Sequence, residues 1–424
     1  MNSTSILSLT RAAAAYARLA RSQYWPAEAL QKQADAKLVE LLRAGAKIPF
    51  YRERLVTADP SQLSSWPILT RHEVPALNRS VRDRMPPGVE FFHDDSSGST
   101  GMPAQFLFDT AHQAGRYAAR IRYLRANGWS PLRRNAWIVA FTSDRANNPD
   151  AFMLRSWLRG RSTFLKIFRP FGEQADALLA LDPEFLYTMP SNLDGLLRVF
   201  ERRRARLRAL KCIFSGGEVL EDSIRERARR LLGVDIRDNY GSTEGFIAWQ
   251  CPAGSYHINV EHMAVEIVDE HRRPVAPGQM GRVLITTLEN RLMPLIRYEI
   301  GDYAIASSER CSCGRTLPLM GRVIGRSINL FRLPGGRLQS PWPLVGPLKA
   351  RATLQQFQIV QESFDRYVVR YVSDREIERE AEQQITSSFA KTLATELTVS
   401  FEKMDSIPRT AGGKFMTALS MVRD

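Results

Sequence analysis

"LKCIFSGGEVLEDSIRERARRLLGVDIRDNYGSTEG", residues 210–245, decides the fold. An apolar run, 210–214, enters the glycine turn "SGGE" at 215–218. A helical pattern over 220–232 follows, then a second strand that enters a second glycine turn, "YGSTEG", at 240–245. A strand, a crossover helix and a strand in this spacing predict parallel pairing. The same alternation runs upstream. "AQFLFD" (104–109), "NAWIVAFT" (135–142) and "EFLYTMP" (184–190) read as strands, with helices over 110–127 and about 191–208. The expected fold class is therefore α/β, with a large N-terminal domain of mostly parallel strands and helices.

Working outward, the texture changes near residue 255. "HMAVEIVDEHRRPVAPGQMGRVLITTL" alternates apolar and polar residues around a Pro/Gly turn, which predicts a β-rich subdomain over about 250–320. "GRVIGRSINLF" (321–331) reads as a linker. Residues 340–424 read as a small, mobile α+β domain with strands near 358–372, a charged helix over 373–395 and the strand "ELTVSFEKM". The expected division is 1–326 and 327–424. Nearer the start, 28–56 reads as one helix, and "WPILTRHEV" (66–74) leads into a helix capped by Thr70.

Composition bounds the function. The chain has 424 residues, a net charge of +14 and a pI of about 9.9. Fifty of the 59 basic residues are Arg, and they are scattered rather than gathered in a stripe. That suits small anionic ligands and argues against nucleic acid as the main partner. No apolar run approaches the roughly 20 residues of a membrane span. The Ala/Arg-rich stretch 9–25 reads as a helix packed on the body rather than a transit peptide or a membrane-surface helix. Four Cys make no disulfide framework and fit a reducing, cytoplasmic compartment.

Three glycine turns sit at predicted strand ends: "SSGSTG" at 96–101, "SGGE" and "YGSTEG". In an open α/β sheet such turns converge on one crevice beyond the carboxyl ends of the strands. Ser96, Ser97, Gly98, Ser99, Thr100 and Gly101 pack no core, and they offer backbone N–H and hydroxyl donors that can wrap a polyanion. The loop matches neither GxxxxGK[ST] nor GxGxxG. Cys251, His257, Cys311 and Cys313 fit a tetrahedral zinc site or reduced, unmetallated thiols, and the tight C-x-C spacing leaves both open. Cys212 reads as a core strand residue. No Ser/His/Asp or Cys/His catalytic set is apparent.

"SSGSTGMP", "NYGSTEG", "PLIRYEIGDYA", "GRVIGR" and "PRTAGGKF" occur in the order found in acyl-adenylate-forming enzymes, and the chain resembles that superfamily over essentially its whole length. "IPFYRERL", "WPILTRHEV", "CSCGR" and "GGKF" resemble its phenylacetate–CoA ligase and capsule-associated branch. The resemblance implies ATP- and Mg²⁺-dependent activation of a carboxylic acid, aryl or arylacetic, as acyl-AMP, followed by transfer to CoA. It implies that the 96–101 loop holds the β- and γ-phosphates and that Ser215, Gly216, Gly217 and Glu218 line one side of the adenine. Tyr240, in the turn with Gly241 and Ser242, would stack on the adenine. Thr243 would contact the α-phosphate, and Glu244 would hold Mg²⁺, for which a carboxylate oxygen is a suitable hard ligand. Asp302 would accept from the ribose hydroxyls, and Arg326 would reach ribose or phosphate. Arg322 and Arg297 are expected as further phosphate-side neighbours. Lys414 would swing into the site and stabilise the charge that develops on the α-phosphate. The branch often carries the Cys/His cluster and often forms homodimers.

The chain departs from the family where the hinge is expected. "GRSINLF" puts Ile328 and Asn329 where an acidic or basic residue is usual. Adenylation stays credible because Lys414 is present, while the CoA step is left open. Transfer to an amine, a hydroxyl or a carrier-protein thiol is the alternative, and a non-catalytic nucleotide-binding scaffold is the third reading. Trp137, Phe141, Phe214, Phe246 and Trp249 are candidates for the acid's pocket or simply for core.

Overall fold

The computed structural model describes residues 3–55, 59, 61–95, 104–140, 161–326, 329–349, 351, 353–410 and 413–422. These form two compact units, Met1–Val323 and Ile324–Asp424. The 96–101 loop, Phe141 and Ile328 lie outside the described residues.

The first unit opens with α1 (Ser3–Ser22), α2 (Ala27–Gly45) and the single turn α3 (Pro49–Arg52). The helix expected over 28–56 is thus two helices, because Pro49 cannot donate to a continuing ladder and starts a new turn instead. Glu73 accepts from both the N–H and the hydroxyl of Thr70, at 2.7 Å each, at the entry to α4 (Val74–Arg82). The antiparallel pair β1 (Phe92–Asp95) and β2 (Gln105–Phe108) precedes α5 (Thr110–Ala126), whose N-terminus is capped by Asp109. Then come β3 (Asn135–Val139), β4 (Ser162–Lys166), α6 (Phe171–Leu181), β5 (Phe185–Tyr187), α7 (Pro190–Arg203), β6 (Cys212–Gly216), α8 (Asp222–Leu232) and β7 (Ile236–Gly241). The helix expected to reach 208 stops at Arg203, where Arg204 turns left-handed at φ 49°.

The chain then turns back through β8 (Phe246–Gln250), β9 (Tyr256–Ile258), β10 (Met263–Val268), β11 (Met280–Thr287), β12 (Tyr298–Ala306) and β13 (Leu319–Arg326). One eleven-stranded sheet results, in the order β10-β11-β12-β13-β9-β8-β7-β6-β5-β3-β4. Pairings from β4 to β7 are parallel, and those from β7 through β8 to β9 are antiparallel. The expected β-rich region therefore continues the parallel sheet. The stretch expected as a linker from 321 is strand up to Arg326. Its glycine signals packing rather than a break: a Cβ on Gly321 would lie 2.8 Å from the Ile305 side chain and 3.0 Å from its carbonyl. One apolar cluster lies under α6, α7 and α8. Two others join α1–α5 to the opposite face and to the antiparallel half.

The second unit is an α+β fold. β14 (Phe331–Arg332) and β15 (Leu338–Gln339) form a short pair, followed by α9 (Trp342–Lys349). β16 (Leu354–Gln361) and β17 (Arg366–Ser373) pair antiparallel, α10 (Arg379–Leu393) crosses over, and β18 (Thr398–Lys403) and β19 (Ala418–Ser420) complete a sheet in the order β18-β17-β16-β19. Its own core includes Leu344, Leu348, Ile359, Val369, Ile385 and Phe389.

Candidate active site

Two glycine turns and the first half of β12 meet at the carboxyl end of β7. The "YGSTEG" turn is a tight reversal between β7 and β8, closed by the Ser242 N–H donating to the Gly245 carbonyl at 2.9 Å. Tyr240, the last side chain before that turn, donates its hydroxyl to the Asp302 carboxylate at 2.8 Å, across 62 positions of sequence. Both are buried. The Ser242 hydroxyl is buried and has no partner among the described residues. A ligand acceptor would complete it.

Glu244 is 3% exposed. Its carboxylate is hydrogen-bonded to the Tyr298 hydroxyl, and Tyr298 also meets Arg71; burial first, and then Glu244, push the Tyr298 phenol up. The Glu244 carbonyl accepts from His112 Nε2 at 3.1 Å. His112 stacks between Phe108, at 4.9 Å between ring centres, and His262, at 4.6 Å. Burial holds the His112 imidazole well below its ordinary pKa, so it is neutral and carries its proton on Nε2. His262 donates through Nδ1 to Glu289 at 2.9 Å, and Lys37 pairs with the same carboxylate. Burial opposes ionisation of Glu289, but His262 and Lys37 outweigh it and hold the carboxyl well below the usual range. The packing here is tight: a Cβ on Gly115 of α5 would lie 2.3 Å from Glu289 Oε2 and 2.7 Å from His262 Nδ1. Sequence reading missed this chain of contacts. His112 and His262 stand 150 positions apart, and neither lies in a recognisable motif.

On the other side, Ser215 is fully buried and Gly216 packs against Asn239, whose side-chain amide donates to the Ser215 carbonyl. Gly217 takes φ 87°, which requires glycine. The Glu218 carboxylate turns to the first turn of α7 and accepts from the Ser191 N–H at 2.9 Å and its hydroxyl at 3.0 Å. Thr243 is half-buried in the turn. Arg322 pairs with Asp222 at the start of α8, at 2.9 Å. Arg326 ends β13. Arg297, expected near the phosphates, is instead committed to contacts that tie the β-rich region to residues 64–66. It pairs with Glu266 at 3.1 Å and donates to the carbonyls of Ser64 and Trp66 at 3.0 and 3.1 Å, which leaves it 4% exposed. Lys414 belongs to the second unit, where its N–H donates to the Thr410 hydroxyl at 3.1 Å. Of the aromatic candidates, Trp137, Phe214, Phe246 and Trp249 are all buried in one cluster.

A separate constellation lies at the far end of β8. Cys251 follows that strand, His257 sits in β9, and Cys311 and Cys313 lie between β12 and β13; their ligand atoms fall within 4.8 Å of one another. Cys251 and Cys311 sulfurs are 3.5 Å apart, and Cys313 Sγ is 3.3 Å from His257 Nε2. Tetrahedral zinc with Zn–S of about 2.3 Å and Zn–N of about 2.0 Å implies ligand separations of roughly 3.5–3.8 Å, so the set fits the ion. Burial lowers the His257 pKa to about 4, which keeps the ring neutral, and Nδ1 faces the Leu317 carbonyl at 3.4 Å and so leaves Nε2 for the cluster.

Residues 151–290 match the model of AMP-binding enzymes, and 344–420 match the CapK C-terminal domain. A phenylacetate–coenzyme A ligase of Thermus thermophilus is 27% identical over 270 residues, 56% of this chain and 60% of the relative. Protein CapK of Staphylococcus aureus is 23% identical over 223 residues, 50% of this chain and 46% of the relative. The matched segments thus span less than two thirds of either curated relative. A crystal structure of 2-hydroxyisobutyryl-CoA ligase in the postadenylation state shares the fold, with a TM-score of 0.75 at 20% identity over 94% of this chain and 93% of that one. By these matches the chain is similar to adenylate-forming, AMP-binding enzymes of the phenylacetate–CoA ligase and CapK-like kind.

Proposed function

We propose that this protein activates a carboxylic acid with ATP and passes the acyl group to the thiol of CoA. The observation that carries this reading is the 2.8 Å bond between Tyr240 and Asp302, which joins two residues that the family likeness places on the nucleoside. In the first step a carboxylate oxygen of the acid attacks the α-phosphorus of ATP, and the bond to pyrophosphate breaks. In the second the CoA sulfur attacks the acyl carbon, and AMP leaves. Catalysis is positioning and charge stabilisation. Tyr240, with the "SGGE" turn opposite, frames the adenine, and Asp302 accepts from ribose. Thr243 donates to the α-phosphate, and residues 96–101 wrap the outer phosphates. Glu244, steadied by Tyr298 and His112, would hold Mg²⁺, which supplies charge neutralisation on the phosphates when bound. Arg322 and Arg326 add positive charge on the phosphate side, and Lys414 brings its ammonium to the reacting centre. Cys251, His257, Cys311 and Cys313 would hold a structural zinc ion that ties the β8–β9 turn to the loop before β13. The protein works in the cytoplasm, as a homodimer.

ATP–pyrophosphate exchange against aryl, arylacetic, fatty and amino acids, with CoA and hydroxylamine as acceptors, tests this reading. Exchange with one acid and a CoA thioester as product is expected. Hydroxamate without thioester would move the acceptor to an amine, a hydroxyl or a carrier-protein thiol, and no exchange at all would leave a nucleotide-binding scaffold. Lys414→Ala should lower exchange at least about 100-fold while ATP binding persists.

A further inference from the structure

Four aromatic side chains form a ladder across the parallel half of the main sheet. Phe164 pairs opposite Trp137, Trp137 opposite Tyr187, and Tyr187 opposite Phe214. Residues paired in register point to the same face. The Trp137 and Tyr187 rings stack at 5.1 Å and 26°, and Trp137 and Phe164 at 6.3 Å and 19°. The ladder lies two residues short of Val139 and of Gly216, that is, about 7 Å below the edge where the glycine turns sit.

Helix α5 covers this face. It starts beside Glu244, through His112, and further along Tyr123 packs edge-on to Phe214 at 5.3 Å. Between them Arg120 lays its guanidinium over Tyr187 at 5.1 Å and over Trp137 at 5.9 Å. Arg120 is half-buried, and those ring faces are its only partners among the described residues, which leaves the N–H edge of its guanidinium open. Trp137 is 1% exposed, and its indole N–H is buried without a partner among the described residues. Stacking fixes the plane of an arginine and leaves the N–H groups along its edge to bind an acceptor. A buried donor is ordinarily satisfied, and the open indole N–H beside the free edge of the Arg120 guanidinium marks a place for an acceptor that the described residues do not supply.

We propose that Arg120 and Trp137 read a second, anionic group at the far end of the acyl substrate, so that the acid is a flat aromatic acid carrying a second carboxylate or an equivalent acidic substituent. This rests on the proposed acid-activating function. The ladder would supply a flat aromatic wall. Arg120, eight residues and about 12 Å along α5 from His112, supplies the charge at its end.

Matched substrates test it. Exchange is measured with 4-carboxyphenylacetate and with 4-methylphenylacetate, which differ in charge at one end and little in shape. The wild type should favour the diacid at least about tenfold in kcat/KM, the discrimination expected of a charge-assisted hydrogen bond. Arg120→Leu should lower that ratio at least about tenfold, and Arg120→Lys less. Trp137→Phe, which keeps the stack and deletes the N–H, should lower it severalfold. A wild type that shows no preference, or variants that lose both substrates in equal measure, would overturn the proposal. Calorimetric binding of 4-carboxyphenylacetate to wild type and Arg120→Leu separates this from failure of the activation chemistry. With no exchange by any acid, binding that the variant loses still supports the site, and no binding to the wild type removes it.

Discussion

Arg120 and Arg122 stand two residues apart on α5 and could hardly be used more differently. Arg122 is fully buried, and both of its terminal nitrogens are engaged. It pairs with both Glu261 oxygens, at 2.7 and 3.0 Å, and donates to Asn259 and to the Leu19 carbonyl. Glu261 also accepts from Ser22, and Asn259 from the Trp249 indole, so α1, α5 and the β9–β10 turn are locked together. Among the described residues Arg120 touches only ring faces. The contrast separates scaffold from site by the kind of partner: a buried guanidinium whose terminal nitrogens meet a carboxylate and carbonyl oxygens holds the fold, even with its Nε left without a partner, while one laid on ring faces keeps its edge for something else.

The largest effect that sharpens the contrast is on stability. Arg122→Leu leaves Glu261 buried and unpaired, and should destabilise the first unit by about 3–5 kcal/mol in thermal or denaturant melts. Arg120→Leu, read in the same melts, should stay within about 1 kcal/mol. Equal losses would erase the distinction. The next effect belongs to the Cys/His set, whose four ligand atoms face one another. Metal analysis should find zinc at about one per chain, and a strong chelator should lower the melting temperature by several degrees. Protein that is zinc-free as purified and indifferent to chelator would return these four to plain thiols and an imidazole.

The smallest effects concern buried acids. Burial raises the Asp238 pKa to about 6, against a hydrogen bond from Tyr256 that lowers it. A folded pKa above the unfolded one means that this group's stabilisation is full below about pH 4 and is lost as pH rises through about 6. Asp238→Asn should therefore be more stable than wild type by on the order of 2 kcal/mol at pH 8 and no more stable at pH 4. Glu289 is the converse case. Its depressed pKa gives stability that is present above about pH 4.5 and lost on acidification below it, and Glu289→Gln should flatten that acid limb. An unchanged acid limb would mean that the Lys37–Glu289–His262 contacts contribute nothing net.

Much of this was legible in the sequence, for a reason common to each case. The glycine turns, the Thr70–Glu73 cap and the Cys/His quartet are defined by residue type at short spacing, or by a ligand chemistry that few residues can supply. The α/β class followed from strand and helix patterns that repeat. What escaped is pairing over long sequence distance among common residue types. Nothing near Tyr298 says that its hydroxyl meets Glu244, and nothing in fifty arginines separates Arg120 from Arg122. The stretch 321–331 misled because glycine marks both a flexible link and a strand packed hard against its neighbour. Only the Ile305 contact tells which applies at Gly321.

Gly115 carries a consequence for anyone who would redesign this protein. A glycine inside a helix weakens it by roughly 1 kcal/mol relative to alanine, so a stabilisation screen would choose this position early. The Glu289 carboxylate and His262 occupy the volume that any side chain would need. A library randomised along α5 should therefore return glycine at 115 almost without exception, while neighbouring exposed positions drift freely. Alanine recovered there would have to be accompanied by a change at 289 or 262.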